Sequence, residues 1–201
     1  MNYVTLLFGL SLVLGSPCSA AQETKILAFA LSQNERVVAV ITEAPYVLTI
    51  RDPNRHRELL LEKLEPIKDV RPNPQIYWSA NSKYLAITYN ESEESSAVQV
   101  VDVSNLSPML TLPATSVAWS GNLLLIVPSY PIDETQQTAG LIRFHPRTKR
   151  QELVARDLFF TGQLMAGKST VVARVVQHAG SGYLFSLLRV DLNTGARQML
   201  P

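Results

Sequence analysis

The sequence is poor in the residues that build disulfides and metal sites. It contains one cysteine, Cys18, and three histidines, His56, His145 and His178, in 201 residues. A single cysteine cannot form an intrachain disulfide, and zinc sites based on cysteine are excluded as well. A site built on the histidines would need added carboxylates. The sequence therefore predicts no metal and no cofactor, and no group of residues stands out as catalytic.

An excess of charge of one sign is also absent. The chain has 18 Lys and Arg against 17 Asp and Glu, a net charge of +1. Bulk electrostatics therefore single out no partner, and we predict no nucleic-acid partner. With 46% hydrophobic and 17% charged residues, the composition is typical of a folded domain rather than a disordered chain.

Long hydrophobic runs are missing everywhere except at the N-terminus. Residues 1–21 read as a secretory signal, with Val4 to Gly15 as the apolar core and small residues near Ala20 for cleavage. The run is shorter than the ~20 residues of a membrane span, so a cleaved signal is favoured over an anchor helix. We predict a periplasmic or secreted protein whose mature domain is 22–201.

Short β-branched and aromatic runs take the place of helical periodicity. In the four predicted repeats, the second strand begins near Val37, Tyr84, Leu123 and Val171. This spacing of roughly 40–48 residues is close to the length of a propeller blade. The predicted fold is all-β: antiparallel four-stranded repeats that form a small β-propeller of about four blades. Four blades can close alone, or two chains can join as a homodimer.

The turn between the third and fourth strands also repeats. An acid or an imidazole opens it, and small or polar residues follow, which favours a tight turn. The opening residues are Asp52, Asp102, His145 and Asp191. We interpret His145 as a turn residue rather than a catalytic one.

The segment from Ile76 to Ala86 resembles the propeller repeat of TolB-like and related WD-type periplasmic proteins. That family writes Trp-Ser-Pro-Asp-Gly-Lys-x-Leu-Ala here. The matching residues are Trp78, Ser79, Lys83, Leu85 and Ala86, and the departures are Ala80, Asn81 and Ser82. Trp119-Ser120-Gly121-Asn122 is a shortened second copy. The resemblance implies a propeller and often a role in binding proteins, although a fold alone does not settle function.

Two features allow more than one interpretation. Residues 162–169 match the P-loop spelling G-x-x-x-x-G-K-S, but that site needs a helix after Lys168. The β-branched run that follows predicts a strand, so we favour a blade turn and keep nucleotide binding as a remote alternative. Trp78 and Trp119 share one place in the repeat, which favours packing between blades over a ligand groove.

Charge placement supplies the candidate binding residues. In a four-stranded meander the first and third turns lie at one end, and cations collect there. The candidate partner-binding residues are Arg55, Arg57, Arg147, Lys149 and Arg150, and the acids at the opposite end are Glu43, Glu91, Glu93, Glu94, Asp133 and Glu134. We predict that the basic end docks an anionic partner, an acidic protein or membrane headgroups. The alternative is a small-ligand binder or enzyme that uses the central channel.

Overall fold

The described part of the chain is built entirely from strands and turns. The computed structural model describes residues 25–43, 46–61, 72–91, 95–129, 140–156, 159–179 and 182–200. The predicted signal, residues 1–21, lies outside these ranges. Within them, no helix has the length and apolarity of a membrane span.

Fifteen strands are present in the described ranges, and every pairing between them is antiparallel. In chain order they are β1 (Ile26–Leu31), β2 (Val38–Thr42), β3 (Val47–Asp52), β4 (Arg55–Leu60), β5 (Gln75–Trp78), β6 (Tyr84–Asn90), β7 (Ser96–Asp102), β8 (Ser107–Ser120), β9 (Leu123–Pro128), β10 (Leu141–His145), β11 (Arg150–Ala155), β12 (Phe159–Ala166), β13 (Thr170–Ala179), β14 (Gly182–Asp191) and β15 (Arg197–Leu200).

The strands form four meanders of four strands each, which we number blades 1 to 4. Blade 1 (β1–β4) and blade 4 (β12–β15) are separate four-stranded sheets. Blades 2 and 3 form one seven-stranded sheet because they share β8. Residues 107–113 of β8 pair with β7 and complete blade 2, and residues 114–120 pair with β9 and begin blade 3. β8 is therefore one continuous strand that passes from blade 2 into blade 3. The predicted fold class is confirmed.

Apolar side chains fill the space between successive blades. One core joins blades 1 and 2 and includes Ile41, Leu48 and Ile87. A second core joins blades 2 and 3, and a third joins blades 3 and 4. Removal of this surface from water is the main force that holds the array together. The two ends of the array do not share a sheet, so the described blades form an open arc.

The P-loop interpretation is wrong. Residues 162–166 lie in β12, and Gly167 to Ser169 form the turn before β13. The Gly167 amide donates a hydrogen bond to the Thr170 carbonyl at 2.7 Å, which closes this turn. A strand therefore follows Lys168 where a phosphate site needs the N-terminus of a helix.

Candidate binding surface at the turn end of the blades

The first and third turns of every blade lie at one end of its sheet, which we call the turn end. This placement follows from the strand order, because the strands of each blade pair in chain order and alternate in direction. The first turns of blades 1 and 2 have the same hydrogen bonds. Ser79 Oγ donates to Asn81 Oδ1 at 2.9 Å and accepts from the Tyr84 amide at 3.0 Å. Ser32 Oγ makes the equivalent bonds to Asn34 Oδ1 and from the Val37 amide.

The aspartates that open the third turns are engaged within those turns. Asp102 Oδ1 accepts from the Ser104 amide at 2.8 Å and from its hydroxyl at 2.6 Å. Asp191 Oδ1 accepts from the amides of Asn193 and Thr194, both at 2.9 Å. These bonds, with that of Thr194 foremost, lower the pKa of Asp191 and keep it ionised. Such carboxylates stabilise the turn and have fewer lone pairs left for a neighbouring cation.

The cations of the same turns extend into solvent. Arg55, Arg147, Lys149 and Arg150 are all exposed. No carboxylate of a described residue forms an ion pair with any of them. They belong to the third turns of blades 1 and 3. All four therefore lie at the turn end, but in two blades that are separated by blade 2.

Arg57 differs from the other candidate residues because it is half-buried between blades 1 and 2. Its Nη1 donates to the Ser104 carbonyl oxygen at 2.8 Å. Its Nε is buried without a hydrogen-bond partner, and so is Ser82 Oγ. Both residues line a cleft of about 360 Å³ that also includes Lys83 and Tyr84. The cleft also contains the Asp102 carboxylate, whose Oδ1 is already bound by the Ser104 amide and hydroxyl. Against this one engaged acceptor stand the Arg57 guanidinium, the Ser82 hydroxyl and the Lys83 ammonium group, a set of donors that favours a carboxylate ligand.

A second arginine connects blades 3 and 4. Arg143 donates to the Leu192 carbonyl oxygen at 2.7 Å and to Glu152 Oε2 at 2.8 Å. The hydrogen bond and the charge of Arg143 lower the pKa of Glu152. His145 Nε2 lies 3.5 Å from the same Glu152 oxygen, beyond good hydrogen-bond length. His145 opens its turn, as predicted, through its carbonyl, which accepts from the Thr148 amide at 3.2 Å.

A cavity of about 540 Å³ lies beside strands β5 and β8, toward the end of the blades that is opposite the turn end. Its described lining is neutral and includes Gln75, Tyr77, Thr88, Asn90 and Ser116. Burial, and then the nearby Glu91 charge, raise the pKa of the adjoining Tyr89 to about 12. These groups can donate hydrogen bonds to a neutral polar ligand and accept them from it.

Other predicted residues are found as follows. Trp78 is 5% exposed, and its Nε1 donates to the Ala30 carbonyl of blade 1 at 3.2 Å, which confirms packing between blades. Trp119 stacks on Tyr84 with ring centroids 6.5 Å apart.

Of the acids predicted at the opposite end, Glu43 lies 3.2 Å from Lys25 Nζ. Glu93, Glu94, Asp133 and Glu134 lie outside the described residues. Within the described ranges, no cluster of histidine, cysteine and acidic residues could hold a metal ion.

Sequence comparison finds no matching family profile and no matching curated protein. Structure comparison finds propellers. The WD40 repeats of RRP9 align with a TM-score of 0.54 at 8% identity, over 89% of this chain and 51% of that one. The propeller domain of the trilobed protease from Pyrococcus furiosus gives 0.54 at 13% identity, over 89% and 57%. A putative TolB from Agrobacterium tumefaciens gives 0.48 at 10% identity, over 85% and 63%.

The first two likenesses show that the chain has the β-propeller fold. The chain spans about half the length of the first two propellers named above.

Proposed function

We propose that this protein is a secreted or periplasmic propeller module that binds an acidic segment of a protein partner at the turn end. The observation that supports this function best is the separation of roles among the charged groups of the turns. Carboxylates such as Asp102 and Asp191 are bound within their turns, whereas Arg55, Arg147, Lys149 and Arg150 are exposed. A surface of this kind attracts anions over about 8–10 Å at ordinary ionic strength.

The cleft between blades 1 and 2 is the proposed anchor of the complex. A buried donor without a partner costs roughly 1–3 kcal/mol, and a bound acceptor recovers that cost. Arg57 Nε and Ser82 Oγ are two such donors. A glutamate or aspartate of the partner in this cleft would contact Arg57, Ser82 and Lys83, which line it, and a rotation of the Arg57 and Ser82 side chains would bring both donors to the carboxylate.

A binding assay with a defined acidic probe tests this proposal. The probe is a fluorescent peptide of alternating glutamate and glycine, and the readout is anisotropy at about 20 and 200 mM salt. Reversal of Arg55, Arg147, Lys149 and Arg150 to Glu should abolish binding, and the four glutamine substitutions should weaken it. Arg57 stays unchanged because its loss would also break the bond to Ser104.

The matched control is Arg156→Glu, which reverses an exposed arginine at the other end of blade 3. It should bind the probe as the native protein does. Equal binding by the reversed variant would contradict the proposal. If the protein binds anionic lipid vesicles but not the peptide, the partner of the turn end is a membrane surface rather than an acidic protein.

Localisation needs a separate test because residues 1–21 lie outside the described structure. Expression of the full chain with a C-terminal tag, followed by intact-mass analysis of the exported fraction, should yield a species that begins at residue 22. Recovery of only the full-length chain would contradict cleavage at this site.

The neutral cavity beside β5 and β8 supports a second candidate function, the binding of a small polar ligand. Its hydrogen-bonding groups converge on a space of about 540 Å³, within the usual range for ligand sites. A thermal-shift screen of neutral sugars and amides tests it. Gln75→Ala should remove any stabilisation that the screen detects, and Thr148→Ala, in an exposed turn, should not.

A further inference from the structure

The two outer faces of the arc carry several exposed apolar side chains. On blade 1, Ile26, Phe29, Leu31 and Leu60 are 59%, 75%, 52% and 54% exposed. They share one face because residues paired across strands point the same way. We call this the leading face. Apolar patches of this kind mark interaction sites.

Blade 4 carries the second patch. Met165, Phe185 and Leu187 are 72%, 57% and 46% exposed, and the strand register again places them on one face. We call this the trailing face. It points away from blade 3, whose contact with blade 4 is formed by the opposite face, where Val171, Ala173 and Val190 are buried.

The leading face of blade 1 corresponds to the faces of blades 2 and 3 that pack on the blade before them. Trp119 donates to the Tyr77 carbonyl of blade 2 at 3.0 Å, and Trp78 donates to the Ala30 carbonyl of blade 1 at 3.2 Å. Each tryptophan directly precedes a turn serine, and Leu31 holds this position in blade 1. Leu31 is exposed because no described blade precedes it.

The trailing face of blade 4 corresponds to the face of blade 3 that contacts the next blade. Arg143 of blade 3 donates to the Leu192 carbonyl in the third turn of blade 4, and it lies two residues before the residue that opens its own turn. Arg189 lies two residues before Asp191, so it holds the same position in blade 4. Their cross-strand neighbours also correspond, because Glu152 pairs with Arg143 and Gln198 pairs with Arg189. Arg189 is exposed.

We propose that a second copy of this chain covers both faces. Blade 4 of each copy packs on blade 1 of the other, which closes a ring of two arcs. Leu31 then lies over the end of the partner's β12, and Arg189 reaches the carbonyl of Pro53 of the partner subunit, which corresponds to Leu192. The repeat predicts both contacts from those already present within the chain.

Closure is the reason for choosing a second copy. The two faces differ from each other, so their contact is head-to-tail, and only a closed ring leaves no face exposed. Two four-blade arcs give an eight-blade ring, which lies within the usual range of about four to eight blades.

Light scattering after size exclusion measures the mass of the purified protein and of two variants. The native protein should be a dimer at low micromolar concentration. Phe29→Glu alters the leading face, Phe185→Lys alters the trailing face, and each variant should be monomeric because both interfaces of its ring are damaged. Circular dichroism should show unchanged strand content. Thr148→Glu, in an exposed turn, should remain a dimer.

Mixing the two variants gives the decisive result. In the mixed ring one interface is native and the other pairs the introduced glutamate of one chain with the introduced lysine of the other, so dimers should return. Arg189→Ala should weaken self-association at least tenfold. A monomeric native protein overturns the proposal, as would further blades that close the ring from within one chain. A dimer lost with Phe29→Glu but kept with Phe185→Lys also overturns it, because the leading faces would then pack on each other.

Discussion

The indole nitrogen of Trp119 lies 3.0 Å from the carbonyl oxygen of Tyr77, to which it donates a hydrogen bond across the boundary of blades 2 and 3. Trp78 makes the same bond to Ala30 across the boundary of blades 1 and 2. Each ring fills apolar space, and its one polar atom meets a backbone carbonyl of the blade before it. The pair of bonds sets how one blade sits on the next.

Substitution of Trp78 should separate these two contributions. Trp78→Phe keeps a ring but leaves the Ala30 carbonyl without its donor, and it should lower the free energy of unfolding by about 1–3 kcal/mol. Trp78→Ala also opens a cavity and should cost about 3–5 kcal/mol. Urea denaturation of the two variants measures both values. Equal stability of Trp78→Phe and the native protein would show that the hydrogen bond contributes nothing.

Ser82 should be replaceable by glycine with a gain in stability. Its φ angle is 57°, in the left-handed region that glycine adopts freely, and its hydroxyl is buried without a partner. Ser82→Gly removes both costs and should raise the free energy of unfolding by about 1 kcal/mol. Lys83→Gly is the control, because Lys83 lies outside the left-handed region and should lose stability. A destabilised Ser82→Gly would mean that the hydroxyl has a partner in solution.

Acid should weaken the contact between blades 3 and 4. Arg143 lowers the pKa of Glu152, so the folded state favours the ionised carboxylate. The resulting stability is complete above the unfolded-state pKa, about 4.3, and is lost as the pH falls through the lower folded-state value. Asp191, with its pKa also lowered, acts in the same direction. Urea midpoints between about pH 6 and pH 3 should show the loss, and Glu152→Gln should reduce its size.

Arg143 itself should matter more than an ordinary surface arginine. Its side chain is 17% exposed and donates to groups on two blades. Arg143→Met keeps much of the packing but leaves the Leu192 carbonyl and the Glu152 carboxylate without their donor. It should lower the free energy of unfolding by about 1.5–3 kcal/mol. Arg150→Met, at an exposed site in the same blade, should change stability by no more than about 0.5 kcal/mol. Thermal denaturation of the two variants makes the comparison, and equal midpoints would contradict it.

The sequence predicts the strands and turns well because both signals are local. The alternation of apolar residues and the Asx residues at Asp102 and Asp191 are enough to place them. One repeat signal was missed: Ser32-x-Asn34 matches Ser79-x-Asn81, and the two turns have the same hydrogen bonds. Leu31 in place of tryptophan hides this copy.

Contacts between blades could not be predicted in the same way. Arg57 reads as one more exposed cation, but it reaches a carbonyl 47 residues away in the chain. The continuity of β8 is not evident from the sequence, because Pro113 lies inside the strand and proline usually ends a central strand. Pro113 is tolerated because it lies where the strand passes from one blade to the next, and its pairing partner there is Ala97.

The shared strand β8 also bears on how the molecule opens. Blades 2 and 3 have no loop between them, because the half of β8 that completes blade 2 runs directly into the half that begins blade 3. They should therefore lose protection from hydrogen exchange together, as one cooperative unit, while blades 1 and 4 open first and separately. The centre of this arc is then a double blade joined by one continuous strand, with one outer blade packed on each side.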